Sequence, residues 1–162
     1  MLLSAHGLPK RVVAKGDPYQ WQVEHTARGL VDRLGIKELD WSVCYQSRVG
    51  PLEWLQPATD AEIRRAGQDG KGVVVAPIAF VSEHSETLVE LDIEYEKLAR
   101  AAGVPDYRRV GTVSADAVFV DGLAQLVRRA VQASEQGRVC INDGEVRLCP
   151  GKFVRCGFEE TN

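Results

Sequence analysis

The stretch GVVVAPIAF, residues 72–80, is apolar on both of its faces. A strand with one wet face alternates polar and apolar residues, whereas one covered on both sides does not, and continuous runs of this kind belong to parallel sheets packed between helices. Shorter runs of the same character flank it at Met1–Ala5, Trp41–Tyr45 and Tyr107–Val113. Between them the period changes. Asp17–Leu34 carries Trp21, Val23, Ala27, Leu30, Val31 and Leu34 at helical spacing and is closed by Gly35. Thr59–Gly70 opens with Thr59 followed three residues later by Glu62, the pattern of a capping box. Ser85–Gly103 reads as one long amphipathic helix with Leu88, Leu91, Tyr95 and Leu98 on its buried face. Asp116–Gln136 reads as a last helix with Val120, Leu123, Ala124 and Val127 along one side. The order βαβαβαβα predicts an α/β domain over residues 1–136, a parallel four-stranded sheet flanked by helices and joined by right-handed crossovers. Residues 137–162 follow as a tail bearing three cysteines.

Composition narrows the function classes. The 162 residues carry a formal net charge of -3 with no basic stripe interleaved with aromatic residues, which argues against a nucleic-acid surface. No apolar run approaches the ~18 residues of a membrane span. The amino-terminus has no basic stretch leading to a cleavage site, so Leu2 and Leu3 read as strand and the cytoplasm is the expected location. Cys44 falls inside a strand and reads as core. Cys140, Cys149 and Cys156 crowd the tail, but a leaderless chain of this size does not suggest a disulfide scaffold.

In sheets of this type ligands bind outside the carboxyl ends of the strands. Three unusual stretches lie at those ends: His6-Gly7-Leu8-Pro9, Gln46 to Pro51, and Ser82 to Glu86. At the first, Gly7 is expected to let the chain turn sharply and expose His6. At the third, Glu86 begins a helix on which Glu90 and Glu94 recur at four-residue steps, on one face. His6 with Glu86 suits a divalent transition metal, imidazole and carboxylate being its ordinary donors. The plainer reading is a hydrogen-bonded rim histidine and a glutamate favoured by the positive end of a helix, with Glu94 on a solvated face. The middle loop QSRVGPLEWLQP, residues 46–57, is too apolar at Leu52, Trp54 and Leu55 for an idle surface loop. It suits either a flat aromatic or macrocyclic ligand or a cap on the core.

SAHGLP at 4–9, GDPY at 16–19, QSRVGPLEWLQP at 46–57 and PIAFVSEHSETLVELDIEY at 77–95 resemble the ferrochelatase family, from residue 1 to about 130. The resemblance implies a chelatase-like, Rossmann-type domain equivalent to the second of two similar domains, with a porphyrin in the cleft between them. It implies insertion of Fe²⁺ into protoporphyrin IX, the last step of haem synthesis, by a lyase. His6 and Glu86 would be the metal and catalytic pair and Glu90 the next catalytic carboxylate. Gln46, Ser47, Arg48, Trp54, Phe80 and His84 would face the porphyrin. A neutral imidazole, with a reference pKa of ~6.5, can accept a pyrrole proton, and carboxylates can strip water from the ion. The partners implied are the porphyrin, a first domain or second copy to complete the cleft, and weak contact with a membrane surface. Some members carry a [2Fe–2S] cluster, whose ligands here would be Cys140, Cys149 and Cys156; three ordinary thiols are the alternative. Two further readings stay open: a small homodimeric chelatase like the cobaltochelatases of sirohydrochlorin, and a porphyrin- or haem-binding module without turnover.

Overall fold

The computed structural model describes residues 1–136 and 147–158. Four strands, β1 (Leu2–His6), β2 (Ser42–Gln46), β3 (Val73–Pro77) and β4 (Tyr107–Arg109), form one sheet in the order β2-β1-β3-β4. All three pairings are parallel, as the sequence predicts. The strands end earlier than their apolar runs: β3 stops at Pro77, which has no N–H to donate to a ladder, and β4 stops at Arg109.

This strand order dictates where the helices lie. The chain leaves β1 in one direction to reach β2, then crosses back over β1 to β3 and continues to β4. With right-handed crossovers the first connection covers one face of the sheet and the later two cover the other. Accordingly α1 (Lys10–Ala14) and α2 (Tyr19–Leu34) pack on the first face, where Val23 and Ala27 meet Leu3, Ala5, Tyr45 and Ala76. On the opposite face lie α3 (Thr59–Gln68) and the connection that ends in α5 (Glu96–Ala101), with Ile63, Ala66 and Ala99 against Leu2, Cys44, Val73 and Val75. Gly67 allows α3 and α5 to touch, because a Cβ there would sit 2.1 Å from the Ala102 carbonyl oxygen. The two helical layers diverge between β1 and β3, which opens a crevice at their carboxyl ends.

Three expectations need correction. Ser85–Gly103 is not one α-helix: α4 (Ser85–Leu88) gives way to a π-helix, Glu90–Tyr95, before α5. The added backbone residue rotates the first turn relative to the rest, so Thr87 points inward while Leu88 is exposed. At α3 it is Ala58, not Thr59, that occupies the capping position. Thr59 is fully buried with its hydroxyl 3.0 Å from Ser4 Oγ, and Glu62 accepts from Ser42 and Arg65 instead of closing a capping box. Last, α6 (Ala117–Glu135) forms as predicted, with Asp116 accepting from the Val118 and Phe119 N–H groups, but its apolar side is open. Val120 and Leu123 are each 46% exposed and Val127 is 64% exposed.

The described part of the tail, residues 147–158, lies along α2. Phe153 packs its ring at 6.4 Å from Trp21, and the Arg155 N–H donates to the Gly16 carbonyl. No helix among the described residues is long and apolar enough to cross a membrane.

Candidate active site

His6 is the last residue of β1, and its backbone is held from two sides. The Gly7 N–H donates to the Gln46 carbonyl at 2.7 Å, and the Tyr19 hydroxyl donates to the His6 carbonyl at 2.9 Å. Burial pushes the Tyr19 hydroxyl up to about 12, so it stays a donor throughout the physiological range. Gly7 does not serve for conformational freedom: its φ is not positive, and the requirement is space. A Cβ there would lie 2.8 Å from both Arg48 Cγ and the Gln46 carbonyl oxygen, and 3.3 Å from Trp54. The loop after β2 can therefore lie directly on the turn after β1, where Pro9 pairs with Trp54 and Leu55 donates to Leu8.

The imidazole of His6 is held at Nδ1, 2.7 Å from the Gly7 carbonyl oxygen. A carbonyl can only accept, so Nδ1 carries the proton and the neutral ring presents its lone pair at Nε2. That atom faces Glu86 Oε1 at 3.5 Å, with both side chains partly open to solvent. Two donors of these types at this separation can share one divalent cation, each at ~2.0–2.2 Å.

Glu86 reaches this position through the loop after β3. His84 caps α4, its Nδ1 accepting from the Glu86 N–H at 3.1 Å, while its own N–H is taken by Thr87 Oγ1. Phe80 lies between the two histidines, with ring centroids 6.5 Å from His6 and 5.2 Å from His84. The loop is anchored below by Arg109 of β4, which pairs with Glu83 at 2.7 Å and with Asp92 of the π-helix. Burial alone would raise the Glu83 carboxyl. Hydrogen bonds from Thr87, the Thr112 N–H and Arg109, with the charge of Arg109, more than reverse this and bring it to about 2.

Glu90 is the most heavily bonded group of the site. Its Oε1 accepts from the Ser47 N–H at 2.8 Å and the Tyr95 hydroxyl at 2.9 Å, and its Oε2 from Gln46 Nε2 at 3.0 Å and the Ser47 hydroxyl at 2.5 Å. Every neighbour donates and none accepts, an arrangement that suits a carboxylate.

His6, Glu86 and Glu90 line one cavity of about 630 Å³ with Ser47, Arg48 and Trp54. Glu94, which the sequence reading leaves on a solvated face, lines it too, as do Val49, Ser85 and Val89. Arg48 is tied to Asp60 at 2.8 Å. Gln46 departs from expectation: it is fully buried beneath the cavity and does not line it, so it is not placed to touch a porphyrin there. Sequence reading passes over Tyr95 and Ser4 because each sits where an ordinary core residue would, and it takes Thr59 for a helix cap.

Two of the three tail cysteines lie among the described residues. Cys140 lies outside the described residues. Cys149 and Cys156 are in side-chain hydrogen-bonding contact, and Cys149 also accepts from Gln22 of α2. Cys44 is buried on the other face of the sheet, where burial pushes its thiol up to about 12. Among the described residues two tail thiols come together, short of the four ligands that a [2Fe–2S] cluster takes, and a cluster is not supported by them. No group of three or more metal-binding side chains occurs among them.

Comparison with known proteins gives the family. Residues 1–131 match the Ferrochelatase family. A ferrochelatase of Rickettsia bellii is 46% identical over 156 residues, 96% of this chain and 44% of the relative. One of Rickettsia prowazekii is 44% identical over all 162 residues, 47% of its own length. One of Caulobacter vibrioides is 56% identical over 131 residues, 38% of its length. The chain therefore spans less than half the length of the relatives it matches. Among solved structures, a protein described as a cobalamin biosynthesis CbiX protein from Marinobacter aquaeolei shares the fold. Its TM-score is 0.57 at 18% identity, covering 81% of this chain and 95% of that one. By its sequence the chain belongs to the ferrochelatase family.

Proposed function

We propose that this chain supplies the metal- and proton-handling wall of a ferrochelatase, a lyase that inserts Fe²⁺ into protoporphyrin IX. The observation that carries the reading is the pair His6 Nε2 and Glu86 Oε1, 3.5 Å apart at the open end of a cavity large enough for one face of a macrocycle. Insertion requires loss of two pyrrole N–H protons and removal of water from the ion. With Nδ1 committed to the Gly7 carbonyl, His6 accepts the proton at Nε2. Glu86 stabilises the resulting imidazolium or holds the incoming ion, and Glu90 and Glu94 continue the acidic wall along the π-helix. Trp54 offers apolar surface to the ring and Ser47 and Arg48 border it with polar groups, while Phe80, buried between His6 and His84 and outside the cavity lining, supports the two histidines from behind.

The opposite wall comes from outside these residues, from another domain or a second copy. Open apolar side chains on α6 and at the rim, Val49 at 80% and Val81 at 56% exposed, suit such a partner or weak contact with a membrane surface. A second reading, a small homodimeric chelatase, is favoured by the CbiX-like fold, which this chain covers almost end to end. Anaerobic assay with Fe²⁺ and protoporphyrin, beside a porphyrin titration, separates the readings. Turnover only after addition of the part of a relative that this chain lacks supports the first. Turnover by a homodimer supports the second, and tight porphyrin binding without turnover leaves a binding module.

A further inference from the structure

Gln46 ends β2 in register with His6 on β1, and its side chain is fully buried. Both protons of its amide nitrogen have partners: the Glu86 carbonyl at 2.7 Å and Glu90 Oε2 at 3.0 Å. Ser47 Oγ, at 3.5 Å, is too distant to compete. On the other side of the amide, Oε1 accepts from the Ser4 hydroxyl at 2.7 Å. Ser4 has one proton, committed to that bond, so towards Thr59, 3.0 Å away, it accepts. The direction of the chain is thereby set: Thr59 donates to Ser4, Ser4 to Gln46, and Gln46 to Glu86 and Glu90. Turned over, the amide would press its oxygen against a carbonyl and a carboxylate, and both acceptors would lose the donor that Gln46 supplies.

Ser4, Gln46 and Thr59 are all fully buried, and none of them lines the cavity. Yet Gln46 alone among the described residues bonds both the backbone of Glu86 and the carboxylate of Glu90. It links the strand layer that carries His6 to the first turn of α4 and the start of the π-helix. We infer that Gln46, held in orientation by Ser4 and Thr59, is a positioning residue that sets the Glu86 and Glu90 carboxylates against His6. This rests on the proposed metal-handling role of that pair, and the test separates the two.

The test uses the 162-residue chain with Zn²⁺ as the probe ion and two readouts. Calorimetry gives Zn²⁺ affinity. ¹³C NMR of labelled glutamate side chains gives the Glu90 carboxyl resonance, identified by its loss in Glu90→Gln. Gln46→Met, which keeps the length and removes the donors, should weaken Zn²⁺ about 10–100-fold, as loss of partners behind metal ligands commonly does, and should move the Glu90 resonance. Ser4→Ala should move both in the same sense by less. Thr59→Ser, which keeps the hydroxyl, should match the parent, while Thr59→Val should not. Ile63→Val, in the core on the same face of the sheet, should lower the melting temperature and move neither readout. An unmoved Glu90 resonance with unchanged affinity in folded Gln46→Met overturns the inference. Should Gln46→Met fail to fold, the same result in Ser4→Ala does so. A parent that binds no Zn²⁺ counts against the metal-handling role, and the NMR shift in Ser4→Ala then decides the positioning alone.

Discussion

The carboxyl rim of the sheet and helix α6 are both legible in the sequence, the rim by its unusual stretches and α6 by its apolar stripe, yet the side chains of one are largely partnered and those of the other are not. At the rim Glu90 draws donors from the end of β2, from the loop after it and from Tyr95 farther along its own π-helix. Along α6 the residues that should form a buried stripe stand open, with Val118 at 81% and Val131 at 54% exposed beside Val120, Leu123 and Val127. The difference is one of range. A polar site is completed by short hydrogen bonds that neighbouring strands and loops supply. An apolar stripe needs a second surface of matching size, and no described element offers one to α6. The chain thus carries a polar network around Glu90 that is satisfied by its own residues, and an apolar face that the described residues leave uncovered.

The largest effect should follow from breaking the partnered side. Glu90→Leu leaves the donors of Gln46, Ser47 and Tyr95 without their acceptor, so urea unfolding should show a loss of about 2–3 kcal/mol, a buried unpaired group costing ~1–3 kcal/mol. Gly7→Ala should cost somewhat less, about 1–2 kcal/mol, since overpacking falls in the ~1–3 kcal/mol range. The added methyl meets the Gln46 carbonyl, so Trp54 fluorescence should shift as the loop lifts. On α6 the comparison reverses. Leu123→Asp with Val127→Asp should change the stability of the chain alone by no more than about 0.5 kcal/mol per site, as for exposed positions generally. The same pair should prevent assembly with a completing domain, read by size-exclusion chromatography. A large loss in the chain alone would mean that α6 is already packed and the contrast is false.

The smallest effect concerns acid. Glu83 titrates near 2 in the folded chain, below its ordinary value of 4.5. Its contribution to stability is therefore present above about pH 4.5 and lost as pH falls towards 2. Glu83→Gln should flatten the acid limb of a melting-temperature profile across that window and leave the neutral limb nearly parallel to the parent.

The strands, their order of appearance and the rim were legible in the sequence because they rest on local signals: unbroken apolar runs, and histidine and glutamate at strand exits. Family resemblance adds an expectation for Ser47, Arg48, Trp54, Phe80 and His84, contact with the porphyrin, that spacing alone does not give. What could not be read has specific causes. A π-helix uses the same residue types as an α-helix, so the rotation that exposes Leu88 and buries Thr87 leaves no mark on composition. Thr59 looks like a cap because Ser4, to which it donates, lies 55 positions away along the chain. Gln46 looks like a pocket residue because it opens a polar loop, whereas its place beneath the cavity depends on β2 running beside β1. The apolar side of α6 has the pattern of a core face, and pattern alone does not say whether the covering surface belongs to these residues.

The most direct test of the account is anaerobic Fe²⁺ insertion by this chain joined to the part of the Rickettsia bellii relative that it lacks, comparing His6→Ala, Glu86→Gln and Glu94→Gln, with thermal melts as the folding control. Loss of about 10²–10⁴-fold in turnover is expected for His6→Ala, the usual range for removal of a general base. Glu86→Gln should do similar damage, Glu94→Gln far less, and all three should melt close to the parent. Near-parental turnover in His6→Ala, or a loss that tracks unfolding, would contradict the account and leave His6 a rim histidine bonded to Gly7.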